Sequence, residues 1–179
     1  MRTITSVARP ARLRFAERQD VMPKNEEAPP VIDSSLVRAF APVQPDVAFT
    51  GKQCVIVGGV EAGPASRVVV AFNQRSGAYL LLLCNDSWES FAAAAFTTIE
   101  EALREAELWY DGISKYWVLT NYSVEEDRQH LEAYFDGEVC SFCGALPNQV
   151  NSMFEGNGAW ICDKCVVEFA GSFSENKDN

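Results

Sequence analysis

Basic side chains are scarce in this chain, histidine is nearly absent, and no apolar run is long enough to span a bilayer as a helix. Fifteen Lys and Arg stand against 25 Asp and Glu, a formal charge of -10. A surface of that sign repels phosphate backbones, which argues against general nucleic-acid binding. The one histidine, His130, has no serine and aspartate arranged around it in sequence as a hydrolytic triad requires, and no Gly-Asp-Ser-Gly run follows Ile56-Val57-Gly58-Gly59. His130 is therefore expected on a helix surface. No Gly-x-x-x-x-Gly-Lys-[Ser/Thr] loop is present, which excludes a P-loop nucleotide site. The stretch Gly58 to Gly63 fails as a dinucleotide turn, because Val60 stands where that turn needs a glycine; a strand followed by a glycine turn accounts for it. No catalytic constellation emerges, and the chain is not expected to be an enzyme.

Charge is unevenly spread. Residues 1–18 carry Arg2, Arg9, Arg12, Arg14 and Arg18 against Glu17 alone. Such a start reads as a solvated basic tail, with an organellar transit segment as the alternative; no apolar core of a secretory signal follows it. Between residues 21 and 46, Pro23, Pro29, Pro30, Pro42 and Pro45 cannot sustain a helix or an inner strand. Residues 1–48 thus read as a disordered basic tail and Pro-rich linker, with at most a helical turn over Ser34 to Phe40.

From Phe49 the pattern changes. Cys54–Val57, Arg67–Phe72, Ala78–Cys84, Ser90–Phe96 and Tyr116–Thr120 read as strands, with Asn73 to Gly77 as a hairpin loop. Leu80 to Leu83 is apolar on both faces and predicts a strand in mid-sheet, covered on each side. Capping boxes at Thr98–Glu101 and Ser123–Glu126 open two helices. The first carries Ile99, Ala102, Leu103, Ala106, Trp109, Tyr110 and Ile113 on one face. The second carries Val124, Leu131, Tyr134 and Phe135. Residues 49–136 therefore predict an α+β domain, a small antiparallel sheet with one or two helices. Cys54 and Cys84 are expected as buried thiols in strands, a disulfide between them being conceivable. Asp86, Trp88 and Glu89 form either a contact loop or merely a loop.

The sharpest signal lies in residues 137–173. Two Cys-x-x-Cys pairs, Cys140/Cys143 and Cys162/Cys165, stand 18 residues apart, within the range of a structural zinc site. Each turn places two thiolates on one edge of a tetrahedron, and four sulfurs leave no open position for catalysis. The other readings are two disulfides, which demand an oxidising compartment, or four unrelated thiols. Between the pairs, Val150, Met153 and Phe154 suggest a short helix and Glu155 to Gly158 a turn. Val166, Val167, Phe169 and Phe173 fit a closing helix that Gly171 interrupts. So few residues do not hold together by burial alone, whereas one Zn2+ per chain suffices. Residues 174–179 form a polar tail.

Cys140-Ser141-Phe142-Cys143-Gly144, the gap, and Ile161-Cys162-Asp163-Lys164-Cys165-Val166 resemble the N-terminal zinc-binding domain of the ClpX unfoldase. The resemblance covers about residues 138–170. It implies a treble-clef-like module, with Cys140, Cys143, Cys162 and Cys165 as ligands, that dimerises and binds protein substrates or adaptors. It further implies a contact surface near Phe142, Phe154 and Trp160. Without an ATPase motif beside it, the expected role is a structural-zinc protein-interaction module. Its expected partners are a second copy, components of a Clp protease, or their substrates, while residues 49–136 make a separate contact. The absence of a secretory signal and the reduced use of cysteine point to the cytoplasm, and no membrane contact is expected. Two alternatives stay open: a zinc finger touching nucleic acid through the Arg-rich start, and an enzyme with an unrecognised site in residues 49–136.

Overall fold

The computed structural model describes residues 27–175. The readings of the Arg-rich start, of the linker before Glu27 and of the chain beyond Glu175 lie outside the described residues.

In chain order the elements are β1 (Val31–Ile32), β2 (Ser35–Pro42), β3 (Ala48–Phe49), β4 (Ile56–Val57), β5 (Val60–Glu61), β6 (Arg67–Asn73), β7 (Ala78–Cys84), β8 (Ser90–Phe96), α1 (Ile99–Trp109), β9 (Tyr110–Asp111), β10 (Val118–Leu119), α2 (Val124–Tyr134), β11 (Met153–Gly156), β12 (Ala159–Cys162) and α3 (Asp163–Glu175). The main sheet is antiparallel with the order β1-β2-β6-β7-β8, and β10 also pairs with β2. The chain is α+β, with the cysteine pairs in a small module at its C-terminal end.

β7 sits between β6 and β8, and its apolar run is used on both sides. Leu81 and Leu83 face α1 in a core with Val68, Val70, Ala102, Ala106 and Trp109. Leu82 and Cys84 face the other way, with Val37, Phe40, Val69 and Ile32. α1 lies on the first face because its apolar residues recur at helical spacing, and the Thr98 hydroxyl accepts from the Glu101 N–H to start it. Tyr110, fully buried just past its end, accepts the Ala65 N–H on its phenol oxygen at 2.7 Å. On the second face the Trp88 ring covers the Arg67 guanidinium at 4.3 Å and meets Phe40 edge-on at 5.5 Å. The loop that holds Trp88 is fastened by Asn85, whose side-chain oxygen accepts from the N–H groups of Ser87 and Glu89. Its aromatic residue thus serves the core of the second face.

Several expectations need correction. The linker reading ends too late: Ser35–Pro42 is an inner strand, with Leu36, Val37, Ala39 and Ala41 fully buried. Pro29 and Pro30 stand before β1, Pro42 takes the last position of β2 and Pro45 lies beyond it, all places where a missing N–H is tolerated. Only Ile56 and Val57 of the Cys54–Val57 stretch form a strand, in a hairpin apart from the main sheet whose turn is Gly58-Gly59. Cys54 is exposed, Cys84 is buried, and both are free thiols. A 3-10 turn over Ile113–Tyr116 precedes β10, which is shorter than expected.

The second helix opens on a full capping box, Ser123 with Glu126. Its expected apolar stripe is not buried as a whole: Val124 is 88% exposed, and Leu131 is the one buried residue of α2. α2 is held instead at two points. Arg38 on β2 grips Asp127 with both terminal guanidinium nitrogens, Nη1 and Nη2, at 2.8 and 2.6 Å. Leu131 joins Val31, Leu36 and Leu146 in an apolar cluster. His130 stands on this helix against the Tyr122 ring, 4.6 Å between centroids.

Tyr110→Phe keeps the ring and removes the acceptor of a buried N–H. The expected loss of stability is about 1–3 kcal/mol, read from urea unfolding.

Candidate metal centre

The metal site is assembled from a turn, a hairpin and a helix. The first pair sits in a knuckle over Cys140 to Gly144. The Gly144 N–H donates to the Cys140 carbonyl at 2.9 Å, and the Cys140 N–H donates to Ala145 O at 2.9 Å. Gly144 takes φ +73° to close that turn, a conformation few other residues adopt without strain. The second pair straddles the join of β12 and α3: Cys162 ends the strand, and Cys165 lies in the first helical turn. Between them β11 and β12 pair in register, Met153 with Cys162 and Gly156 with Ala159. Asn157 and Gly158 make the reversal with φ +51° and +74°, the primed turn that suits a two-residue hairpin. No helix forms over Val150 to Phe154: Met153 and Phe154 lie in β11, and Val150 lies before that strand. The turn over Glu155 to Gly158 falls at that reversal. The closing helix runs through Gly171 to Glu175 without interruption.

The knuckle and the hairpin are joined by hydrogen bonds. The Ser141 N–H donates to Trp160 O at 2.8 Å, and the Trp160 N–H donates to the Ser141 hydroxyl at 3.2 Å. This brings all four sulfurs within 4.8 Å of one another. Cys140 and Cys165 are separated by 3.8 Å and Cys143 and Cys162 by 3.6 Å. A tetrahedron with Zn–S bonds of ~2.3 Å has edges of about 3.8 Å. The sulfurs therefore stand as ligands of one cation and not as disulfides, whose S–S length is about 2 Å.

Local electrostatics favour a cation. Burial opposes the Cys140 thiolate, yet the N–H groups of Cys143, Phe142 and Cys162 outweigh it and bring the pKa down to about 6. One of these, the Cys162 N–H, lies 3.4 Å from the sulfur. Cys165 is pushed the other way, first by burial and then by the three sulfurs around it. Four thiols this close do not all ionise unless a cation compensates them. The Cys165 N–H, 3.5 Å from the Cys162 sulfur, points from the start of α3, where the helix dipole favours negative charge.

Residues 138–174 match the family model of the ClpX C4-type zinc finger. The match spans this module and leaves the sheet domain outside it. With four cysteines gathered at ligand spacing, the module holds one structural Zn2+, and Cys140, Cys143, Cys162 and Cys165 are its ligands. No solved structure matches the chain. Among the described residues no helix is long and apolar enough to cross a membrane.

The expected contact residues are distributed unevenly. Phe142 is 61% exposed in the knuckle, and Phe154 is 51% exposed on β11. Trp160 is half-buried. Phe154 pairs with Ile161 and Trp160 with Glu155, so Phe154 and Trp160 lie on opposite faces of the hairpin. Phe142 instead meets Phe169 of α3, edge to face, with 5.0 Å between ring centroids. Phe169 was not anticipated as a contact residue. Its spacing from Cys165 holds the signal: residues four apart share a helix face, so Phe169 follows the ligand toward the knuckle.

Accessible thiols count the state of the site. Zinc shields four of the six cysteines and burial shields Cys84, whose thiol is pushed up to about 12 chiefly by that burial. Mass-resolved alkylation of native protein at neutral pH should modify Cys54 alone, chelation should add the four ligands, and denaturation should be needed for Cys84. A second accessible thiol in the zinc-loaded protein would count against a closed tetrathiolate site.

Proposed function

We propose that the zinc module is a protein-docking surface and that its exposed aromatic ridge is the part that binds. The observation that carries this reading is the Phe142–Phe169 pair. Both rings are large and apolar, 61% and 40% exposed, and locked edge to face. The elements that carry them are fixed by the metal, so little conformational freedom is lost when a partner covers them. Beside them on α3, Val166 is exposed and Val167 is 71% exposed. Among the side chains of α3 that are described, Cys165 is the one that is buried. An amphipathic helix whose apolar residues face water is an unfilled contact.

The occupant in this reading is an apolar stretch of a protein partner, or the same surface of a second copy. The similarity to the ClpX zinc finger supports both, and it favours components or substrates of a Clp-type protease as the protein partner. Phe154 and Trp160 lie on opposite faces of the hairpin. The chain acts by binding, without a catalytic step of its own, in a reducing compartment such as the cytoplasm that keeps the cysteines as thiolates. The net charge of -10 weighs against a nucleic-acid role.

Phe142→Ala and Phe169→Ala leave the four cysteines intact. Each should keep one zinc per chain and lower self-association, measured by sedimentation equilibrium, or binding to a reduced, carboxymethylated unfolded protein, measured by fluorescence anisotropy. The expected loss is on the order of thirtyfold, the weight of a central aromatic contact. Parent protein that neither self-associates nor binds the unfolded probe would contradict the reading, as would variants that bind as tightly as the parent.

A further inference from the structure

We propose that zinc occupancy governs how firmly the β1–β2 end of the sheet and the C-terminal half of α2 are closed, and that Leu146 carries the coupling. The segment from Ala145 to Ser152 joins the two metal knuckles and is held by both. At its start, Ala145 O accepts the Cys140 N–H at 2.9 Å. At its end, the Asn151 N–H and side-chain amide both donate to the Asp163 carboxylate, at 3.3 and 3.2 Å, and the Asp163 N–H donates to Ser152 O at 3.0 Å. Lys164, between the last two ligands, donates to Gln149 O at 3.1 Å. The segment is thus stretched between residues that the metal fixes.

Its middle faces the sheet domain. Leu146, three residues after Cys143, is buried among Val31, Leu36 and Leu131, with Phe135 and Val139 packed against the cluster. Two polar contacts flank it: Gln149 donates to Gln74 at 3.0 Å and Arg75 donates to Asn151 at 3.2 Å, both reaching the β6–β7 loop. The neighbouring Asn148 amide is buried with neither its oxygen nor its nitrogen hydrogen-bonded. Stranding a polar group in this way is unfavourable. The four sulfurs on one ion fix the residues that hold both ends of this segment. Without the ion the two ends separate, Leu146 withdraws, and Val31, Leu36 and Leu131 lose their cover. Because Leu131 is the one buried residue of α2, that helix then depends on the Arg38–Asp127 pair alone. Zinc is in this way a stabiliser of the sheet domain as well as of its own module.

Hydrogen exchange on the full chain, read by mass spectrometry with and without a chelator, tests the coupling. Chelation should speed exchange in peptides covering residues 31–37 and 131–135 by on the order of tenfold or more, with β7 as the unchanged internal reference. Leu146→Ala keeps all four ligands. It should show the same acceleration while still holding one zinc, and chelating it should add little further. Leu146→Val serves as a milder form if the alanine variant does not accumulate as folded protein, with the same pattern at smaller amplitude. Exchange at residues 31–37 and 131–135 that is indifferent to chelation, while residues 138–174 exchange freely, would overturn the proposal. So would a chelation effect as large in the Leu146 variant as in the parent.

Discussion

Four sulfurs held at cation-bonding distance are the constraint on which the C-terminal part of this molecule depends. The knuckle at Cys140 and the strand–helix join at Cys162 are individually weak elements. They are joined by a few hydrogen bonds through Ser141 and Trp160 and by a small apolar cluster that includes three of the ligands themselves. A module of that size buries too little apolar surface to stand by itself, and metal binding supplies the missing free energy. The ion does this without chemistry of its own, because four thiolates saturate a tetrahedral site. What the ion fixes is position: the Phe142 and Phe169 rings on one side, and the Ala145–Ser152 segment on another.

The two sides have different fates. The segment between the knuckles turns inward and finishes an apolar cluster of the sheet domain through Leu146. The aromatic pair, Val166 and Val167 turn to water. The sheet domain has packed cores of its own on both faces of the sheet. Its α1 core is closed by Trp109, Tyr110 and Ile113, its second face by Trp88 and Ile32, and β1, β2 and α2 receive the metal module.

The zinc ligands were legible in the sequence because coordination geometry is a local rule: Cys-x-x-Cys turns at a suitable gap are enough to specify it. Leu80 to Leu83 was legible for a similar reason, since an apolar run with no polar alternation belongs in mid-sheet. β2 was hidden by prolines that stand outside the strand or at its end, where they cost the ladder nothing. The strand β11 was hidden by the spacing of Val150, Met153 and Phe154, which fits helical periodicity, while the Asn157-Gly158 turn that decides the hairpin lies after it. Val124 and Tyr134 look like core residues beside Leu131, yet α2 touches the sheet at its edge, so one apolar residue and one ion pair suffice. The role of Leu146 had no sequence signal, because its partners Val31, Leu36 and Leu131 are far away along the chain.

Zinc K-edge X-ray absorption on the purified protein tests the central claim most directly. It should show one zinc per chain with four sulfur neighbours at ~2.3 Å and no nitrogen or oxygen in the first shell. A folded protein that carries no zinc, or zinc with oxygen or nitrogen in place of one of these sulfurs, would contradict the account.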